Sequence, residues 1–557
     1  MLSTCSSSNL KLYEIGEPTR DLAKKLSCSE LTAVVLEMYH ENRCSDVDYA
    51  QAWLKPQFEA LMETLNLGAA SVEAAKKWRS KCSFGNIVVY GDYDTDGISS
   101  TVLAMEIFRH KALGVRYFIP RRDMQGYGLH ASVLDRLTES GCNTLVVVDC
   151  GTNDVDLLRK LEQRGMDVFV FDHHSVSASA SPFSLTVNPC IDGDEMARKL
   201  CATAVLWSWA WKEEIVPRSW LRYALDLVAL ATISDCMPLN ALNRSIVQKG
   251  LTLMRNNPRR GLSALFEKLG VTQQTLSEEQ LSMRIIPCLN APGRIGCADI
   301  SVKALLGIGE LYTYVNELIK ANKKRQMISE RIANEICEFE SAERHVMFDD
   351  TWPVGVLSGV ASRICSMRRS PVVLAAPVKG KIRGTLRVPA GANAVGILSA
   401  ISERLDAWGG HRYAAGFSVL SDRWADVEKS LEELLSEIKV ENEVVKAVAL
   451  SPARISLGEW RAVGDLGPFG NDNPCPYFYK GKHDTDKIVP LGRDGKHCSV
   501  VVDDARILAF NAASDLENAS DVTGWVYHPR IDYWRNEERV QFVLDYAVVE
   551  AAAEERK

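Results

Sequence analysis

From residue 85 the chain alternates short apolar runs with longer amphipathic ones. Ile87–Tyr90, Val115–Ile119, Thr144–Val148 and Val168–Phe171 are short and rich in β-branched residues, the pattern of strands. Between them, Ser99–His110, Ala131–Ser140 and Val155–Arg164 carry apolar residues at helical spacing. Strands apolar throughout, separated by helices, predict βαβ units and a parallel sheet covered on both faces. In such sheets ligands bind beyond the carboxyl ends of the strands. Upstream, residues 1–80 read as amphipathic helices, for example SELTAVVLEMYHENR, packing on something larger. Downstream, ELIKANKKRQMISERIANEICEFE reads as a long charged helix, and from residue 445 KHCSVVVDDARILAFN and RVQFVLDYAVVE alternate as strands do. The fold class expected is α/β. A parallel-sheet domain (81–300) is joined by a helix (301–345) to a smaller α/β domain (346–440), followed by a β domain (445–557), with a helical segment (1–80) in front.

Composition changes little in this picture. At 557 residues the chain has room for about three or four domains, and no apolar run approaches the roughly 20 residues of a membrane span. MLSTCSSSNLKLYEIGEP lacks a basic segment followed by an apolar core, so no signal peptide and a cytoplasmic location are expected. The fifteen cysteines form no C-x-x-C pair and read as reduced thiols. The net charge of −7 argues against a protein that coats nucleic acid all over, but leaves room for a local basic track.

The candidate chemistry changes it more. Asp92, Asp94 and Asp96 follow the first strand at alternate positions, ahead of Gly97. Alone, such a run could be a solvated acidic turn. Asp149, however, follows LVVV directly, and Asp172, His173 and His174 follow DVFVF directly. Carboxylates and imidazoles therefore stand at the same end of three strands. Asp235 ends the apolar helical run LDLVALATIS. Carboxylates this close repel unless a cation lies between them. A donor set rich in oxygen suits Mn²⁺ or Mg²⁺ better than zinc, and several carboxylates can serve two ions about 4 Å apart. With no Walker A sequence, hydrolysis at phosphorus is the natural reading.

YGDYDTDGISS, VVVDCGTND, FDHHSV and ATISDCMPL resemble, in order, the four motifs of the DHH phosphoesterase superfamily. IPRRDMQGYGL, RIIPCLNAPGRIG and WGGHRYAAGFSV further resemble segments of its RecJ-like exonuclease branch, the last matching the GGH motif of the DHH-associated domain. The resemblance implies two divalent ions, Mn²⁺ or Mg²⁺, held by Asp94, Asp96, Asp149, His173 and Asp235, with Asp92 a ligand or just outside the ligand shell. It implies that His174 contacts the scissile phosphate or assists the leaving group and that Asp172 is an orienting residue rather than a ligand; His174, Asp149 and Asp172 form the catalytic set. Arg122, Asn290 and Arg294 fall in segments expected to hold substrate. Tyr90 stands where some members carry histidine.

Residues 353–402 include Arg363, Arg368, Arg369, Lys379, Lys381, Arg383 and Arg387 and no acidic residue, which points to a phosphate-backbone track. Arg363, Arg383, Gly409, Gly410 and His411 are the substrate-binding candidates there. Lys381 and Gly384 replace serines usual in the family. The last domain resembles an oligonucleotide-binding (OB) barrel, with Phe469, Tyr477, Phe478, Lys496 and His497 as candidate contacts. The implied activity is 5′→3′ hydrolysis of single-stranded DNA to nucleoside 5′-monophosphates in repair and recombination, with a helicase and a single-strand-binding protein as partners. The alternatives are an enzyme of short oligonucleotides or cyclic dinucleotides, or a non-catalytic replication scaffold. Intact motif residues argue against the scaffold.

Overall fold

The computed structural model describes residues 3–40, 43–44, 46–121, 128–176, 183, 185–339, 343–438, 444–492, 495–517, 521–534 and 537–550. The chain forms two compact units, one of residues 57–440 and one assembled from both ends, residues 1–56 with 441–557.

In the first unit a five-stranded sheet runs Gly114–Phe118, Asn86–Tyr90, Thr144–Val148, Asp167–Phe171, Thr186–Val187, every neighbouring pair parallel. Strand alternation sends Ile87, Val89, Val146, Val148, Phe169 and Phe171 to one face, where they pack with Phe108, Trp209 and the helices around them. Val88, Tyr90, Leu145, Val147, Val168 and Val170 go to the other face with Leu129, Val133 and Leu158. Both faces are buried, which is why the strands read as unbroken apolar runs. The helix after the first strand begins at Thr95, four residues before the expected Ser99, because Asp94 caps it.

The helix Leu311–Phe339 leads within the same unit to a second five-stranded sheet, ordered Ala407–His411, Ala414–Leu420, Lys381–Arg387, Val372–Val378, Val346–Phe348. Only the last pair is parallel. The helix Val354–Arg368 packs on one face of this sheet, and Ala394–Ala400 and Trp424–Ser436 on the other.

The unit built from both ends holds a nine-stranded sheet. Its longest pair is the antiparallel hairpin Val522–Trp534 with Glu537–Val549. Here the reading of residues 1–80 as one helical segment is corrected. Ser3–Ser6 and Leu10–Tyr13 are strands, paired in parallel with Tyr546–Val549 and Val445–Val448. Four-residue strands carry too little periodicity to be seen, and their hydrogen-bond partners lie more than four hundred residues away. The helices that follow divide: Leu22, Val34 and Leu54 pack with Val448 and Trp525, whereas Phe58, Met62 and Trp78 join the core of residues 57–440. Among the described residues, no helix is long and apolar enough to cross a membrane.

Candidate metal centre

All the strand-end residues converge. Asp94 caps the helix Thr95–Phe108, its Oδ1 accepting the N–H groups of Asp96 at 3.0 Å and Gly97 at 3.1 Å. Gly97 is required at this turn, since a Cβ there would lie 2.6 Å from the carbonyl of Asp92. Asp96 reaches across to the start of the helix Ala202–Lys212. Its Oδ2 accepts from the Ala202 N–H at 2.7 Å, and its Oδ1 from the Thr203 N–H at 2.9 Å and hydroxyl at 2.6 Å. Asp149 leaves the sheet with a positive φ of 61°, a conformation Asp and Asn tolerate better than most residues. Asp92, Asp96 and Asp149 are all buried.

His173 Nε2 lies 3.5 Å from Asp149 Oδ1, 3.5 Å from Asp235 Oδ2 and 3.8 Å from Asp96 Oδ2. Three overlapping donor groups result, with donor atoms mutually within 4.8 Å: Asp92, Asp94 and Asp149; Asp96, His173 and Asp235; Asp149, His173 and His174. Asp149 and His173 each belong to two. The geometry groups Asp92 with Asp94 and Asp149 as potential donors.

The electrostatics fit a cation in this nest. Burial, then the negative charges of Asp96, Asp94, Asp92 and Asp235, push the Asp149 carboxyl well above its usual range. Burial followed by Asp96 and Asp94 does the same to Asp235, and burial followed by Asp96 raises Asp94. Burial also lowers His173, favouring the neutral imidazole that ligates metals. Five carboxylates crowded together, three of them buried, with an imidazole that burial biases toward its neutral form, are the donor chemistry of a hard divalent ion.

Asp172 stands apart. Its Oδ1 accepts from the N–H groups of His173 at 2.8 Å and His174 at 3.2 Å and from His174 Nδ1 at 2.7 Å, while its Oδ2 accepts from the Thr152 N–H at 3.1 Å. Burial would raise Asp172, but the His174 hydrogen bond and charge outweigh it and hold the carboxyl far below its usual range. In return, burial that would lower His174 is outweighed by Asp172, and the imidazole is raised to about 9. Asp172 is thus placed to orient His174.

Beside Asp235 a pocket of about 300 Å³ is lined by Ser234, Cys236, Asn290, Arg294, Arg325, Ser358, Ser362 and Arg387, among others, with no acidic residue in its described lining. Asn290 accepts from the Thr95 hydroxyl at 2.8 Å, and its amide lies 3.4 Å from the Ser234 hydroxyl, so it ties the first motif to the fourth. Arg294 donates to Ser358 at 3.0 Å, and Arg387 to Ser362 at 3.0 Å. Sequence reasoning singled out Asn290 and Arg294 but missed Arg325, hidden in a helix read as a linker, and left Arg387 unselected within the basic run.

The remaining candidates are spread over the second sheet. Cross-strand register puts Arg383, Thr385 and Arg387 on one face, in rows with Ser418 and Ala407, Gly416 and Gly409, and Ala414 and His411. Gly410 falls on the opposite face, where a Cβ would meet the Ala414 carbonyl oxygen at 2.3 Å. Arg363 is exposed on the helix Val354–Arg368. Gly384 has a packing reason, since a Cβ would lie 2.1 Å from the Phe417 ring, and Lys381 pairs with Asp406 at 3.0 Å. Tyr90 is buried and donates to the Gly128 carbonyl at 3.0 Å. Arg122 lies outside the described residues. In the other unit Phe478 is fully buried, stacked on Tyr527, and so closed to a base, whereas Phe469 is partly buried with its ring against Trp460.

Family models match three stretches of the chain: the DHH family N-terminal domain at 86–232, the DHHA1 domain at 342–441 and the RecJ OB domain at 447–546. The single-stranded-DNA-specific exonuclease RecJ of Escherichia coli is 31% identical over 435 residues, covering 70% of this chain and 74% of that protein. The chain belongs to the RecJ family. RecJ of Thermus thermophilus is 30% identical over 432 residues, spanning 76% of this chain and 63% of that protein's length. The crystal structure of the same organism's RecJ in complex with Mn²⁺ superposes with a TM-score of 0.78 at 25% identity, covering 97% of this chain and 79% of that one.

Proposed function

We propose that this chain is a metal-dependent 5′→3′ exonuclease that hydrolyses single-stranded DNA to nucleoside 5′-monophosphates. The observation that carries the reading is the set of three overlapping donor groups sharing Asp149 and His173. Asp92, Asp94 and Asp149 would hold one Mn²⁺ or Mg²⁺, and Asp96, His173 and Asp235 a second. Two such ions lower the pKa of a bound water and neutralise charge on both the attacking and leaving oxygens.

The chain's own groups supply the rest. Asp172 holds His174 through Nδ1 and so fixes the imidazole that would face the substrate. A protonated His174 neutralises the scissile phosphate and can give its proton to the departing 3′-oxygen. Arg294, Arg325 and Arg387 form an anion pocket beside Asp235 that holds the strand's end. Arg383, Gly409 and His411 continue the track, and the OB domain supplies a further surface for single strands. Work on single strands in the cytoplasm implies a helicase to expose them and a single-strand-binding protein that covers them.

The test is release of mononucleotides from a labelled single strand with Mn²⁺. Asp149→Asn is expected to lower turnover more than ~100-fold while leaving strand binding within about threefold. Cleavage of dinucleotides alone, or strand binding without hydrolysis under any metal, would overturn the reading.

A further inference from the structure

The edge strand Thr186–Val187 of the parallel sheet is only two residues long, and the residue that follows it is Asn188. Asn188 stands at the same sheet end as the Asp149 and Asp172–His174 loops. Its side chain is 1% exposed and fully used. Nδ2 donates to the Thr152 hydroxyl at 2.8 Å, in the loop after Asp149, and to the His174 carbonyl at 2.9 Å, in the loop after Asp172. Oδ1 accepts the Cys190 N–H at 2.9 Å, capping the short helix Pro189–Asp192, while Cys190 Sγ lies 3.2 Å from the His173 carbonyl oxygen.

We propose that Asn188 is a positioning residue: its carboxamide fixes the distance between the loop bearing Asp149 and the loop bearing His173 and His174. Asp149 and His173 follow neighbouring strands and belong to the same donor group, so their separation sets the size of the nest. Between the two loops run the Thr152 N–H bond to Asp172, the exposed Asn153 Nδ2 bond to the Ser175 carbonyl at 3.0 Å and the two buried bonds from Asn188 Nδ2. Two donors and one acceptor on so short a neutral side chain are available only from asparagine. Aspartate would set a carboxylate oxygen against the His174 carbonyl, an acceptor that has no proton to give, while the Thr152 hydroxyl could turn to donate. Groups that orient metal donors from behind commonly change metal affinity 10–100-fold when removed.

The inference rests on the metal-dependent reading, and two measurements separate the two. Asn188→Ser keeps an N-cap oxygen and neutrality but loses the carboxamide arm. Thr152→Val removes one acceptor at nearly constant volume. Calorimetric titration with Mn²⁺ is expected to show affinity at least about tenfold weaker for Asn188→Ser and about threefold weaker for Thr152→Val, with the double variant no worse than Asn188→Ser. Turnover should fall roughly 10- to 100-fold with KM within about threefold. In the metal-free protein, amide exchange at 149–154 and 172–175 should speed up in Asn188→Ser while the strands 144–148 and 167–171 stay protected.

Wild-type Mn²⁺ affinity in Asn188→Ser, or losses that simply add in the double variant, would overturn the clamp. A wild-type protein that binds no Mn²⁺ would sink the metal reading instead, and the exchange measurement would still decide the clamp, unchanged protection at both loops counting against it.

Discussion

At the scale of single residues, the nest of carboxylates is a liability without its ions. Asp149 is buried among like charges that raise its carboxyl well above the usual range, and its φ of 61° suits Asn nearly as well as Asp. Asp149→Asn should therefore raise the melting temperature of the metal-free protein by about 2–4 °C, the shift that ~1 kcal/mol produces in a domain of 150–250 residues. The stabilisation that Mn²⁺ gives the wild type should disappear. Scanning calorimetry with and without Mn²⁺ reads both effects, and a metal-free melting temperature that falls would mean the charges are not in conflict. The Asp172–His174 pair has the opposite sign. His174 is raised from 6.5 to about 9 on folding, so its contribution is fully present below pH 6.5 and is lost as pH rises through about 9. Asp172 is depressed, so its contribution is present above its ordinary 3.8 and is lost as pH falls below that. Denaturant unfolding of metal-free wild type and His174→Gln should diverge most at about pH 6 and converge by about pH 10. Parallel curves across that window would exclude the pair.

At the scale of elements, two helices must nearly touch for the anion pocket to exist. A Cβ on Gly355 would fall 1.8 Å from the Arg294 carbonyl oxygen, so the helix Val354–Arg368 approaches Ile286–Ile295 at backbone distance, and the Arg294–Ser358 bond lies beside that contact. Gly355→Ala should force the helices apart, costing about 1–3 kcal/mol and raising KM for single strands more than it lowers turnover. Steady-state kinetics with a denaturation curve separates the two, and an unchanged KM would detach this pocket from substrate binding. On the neighbouring sheet, Arg383→Ala should weaken strand binding and reduce the slope of log affinity against log salt by about 1. Much of this scale was legible. The chemistry at Asp92–Asp96, Asp149 and Asp172–His174 could be read because each group directly follows an unbroken apolar strand. Asn188 obeys the same rule but follows a strand of two residues, below the length at which periodicity exists. Arg325 escaped because a charged helix reads the same whether its cations meet solvent or a pocket.

At the scale of the whole molecule, chain order misled the reading of the N-terminus. Strand pairing carries no signature in local sequence when the partners are hundreds of residues apart, so Ser3–Ser6 and Leu10–Tyr13 disappeared into a segment read as helical. Their pairing makes a prediction about stability. Leu10–Tyr13 covers the outer edge of Val445–Ala449, and Ser3–Ser6 lies along Tyr546–Val549, so the first thirteen residues complete the sheet of the unit built from both ends. That unit has its own core, with Leu22, Val34, Val448, Trp525 and Phe542 in one cluster, whereas the donor groups lie in residues 57–440. Deleting residues 1–13 should leave backbone groups of Val445–Ala449 unpaired and lower the melting of that unit by several degrees, at about 2–4 °C per kcal/mol. The Mn²⁺-induced shift of residues 57–440 should persist. Calorimetry of the truncated and full chains, each with and without Mn²⁺, decides it. Loss of the Mn²⁺ shift on truncation would mean that the metal centre depends on the N-terminal strands, and an unchanged profile would mean that those strands add nothing to the sheet they border.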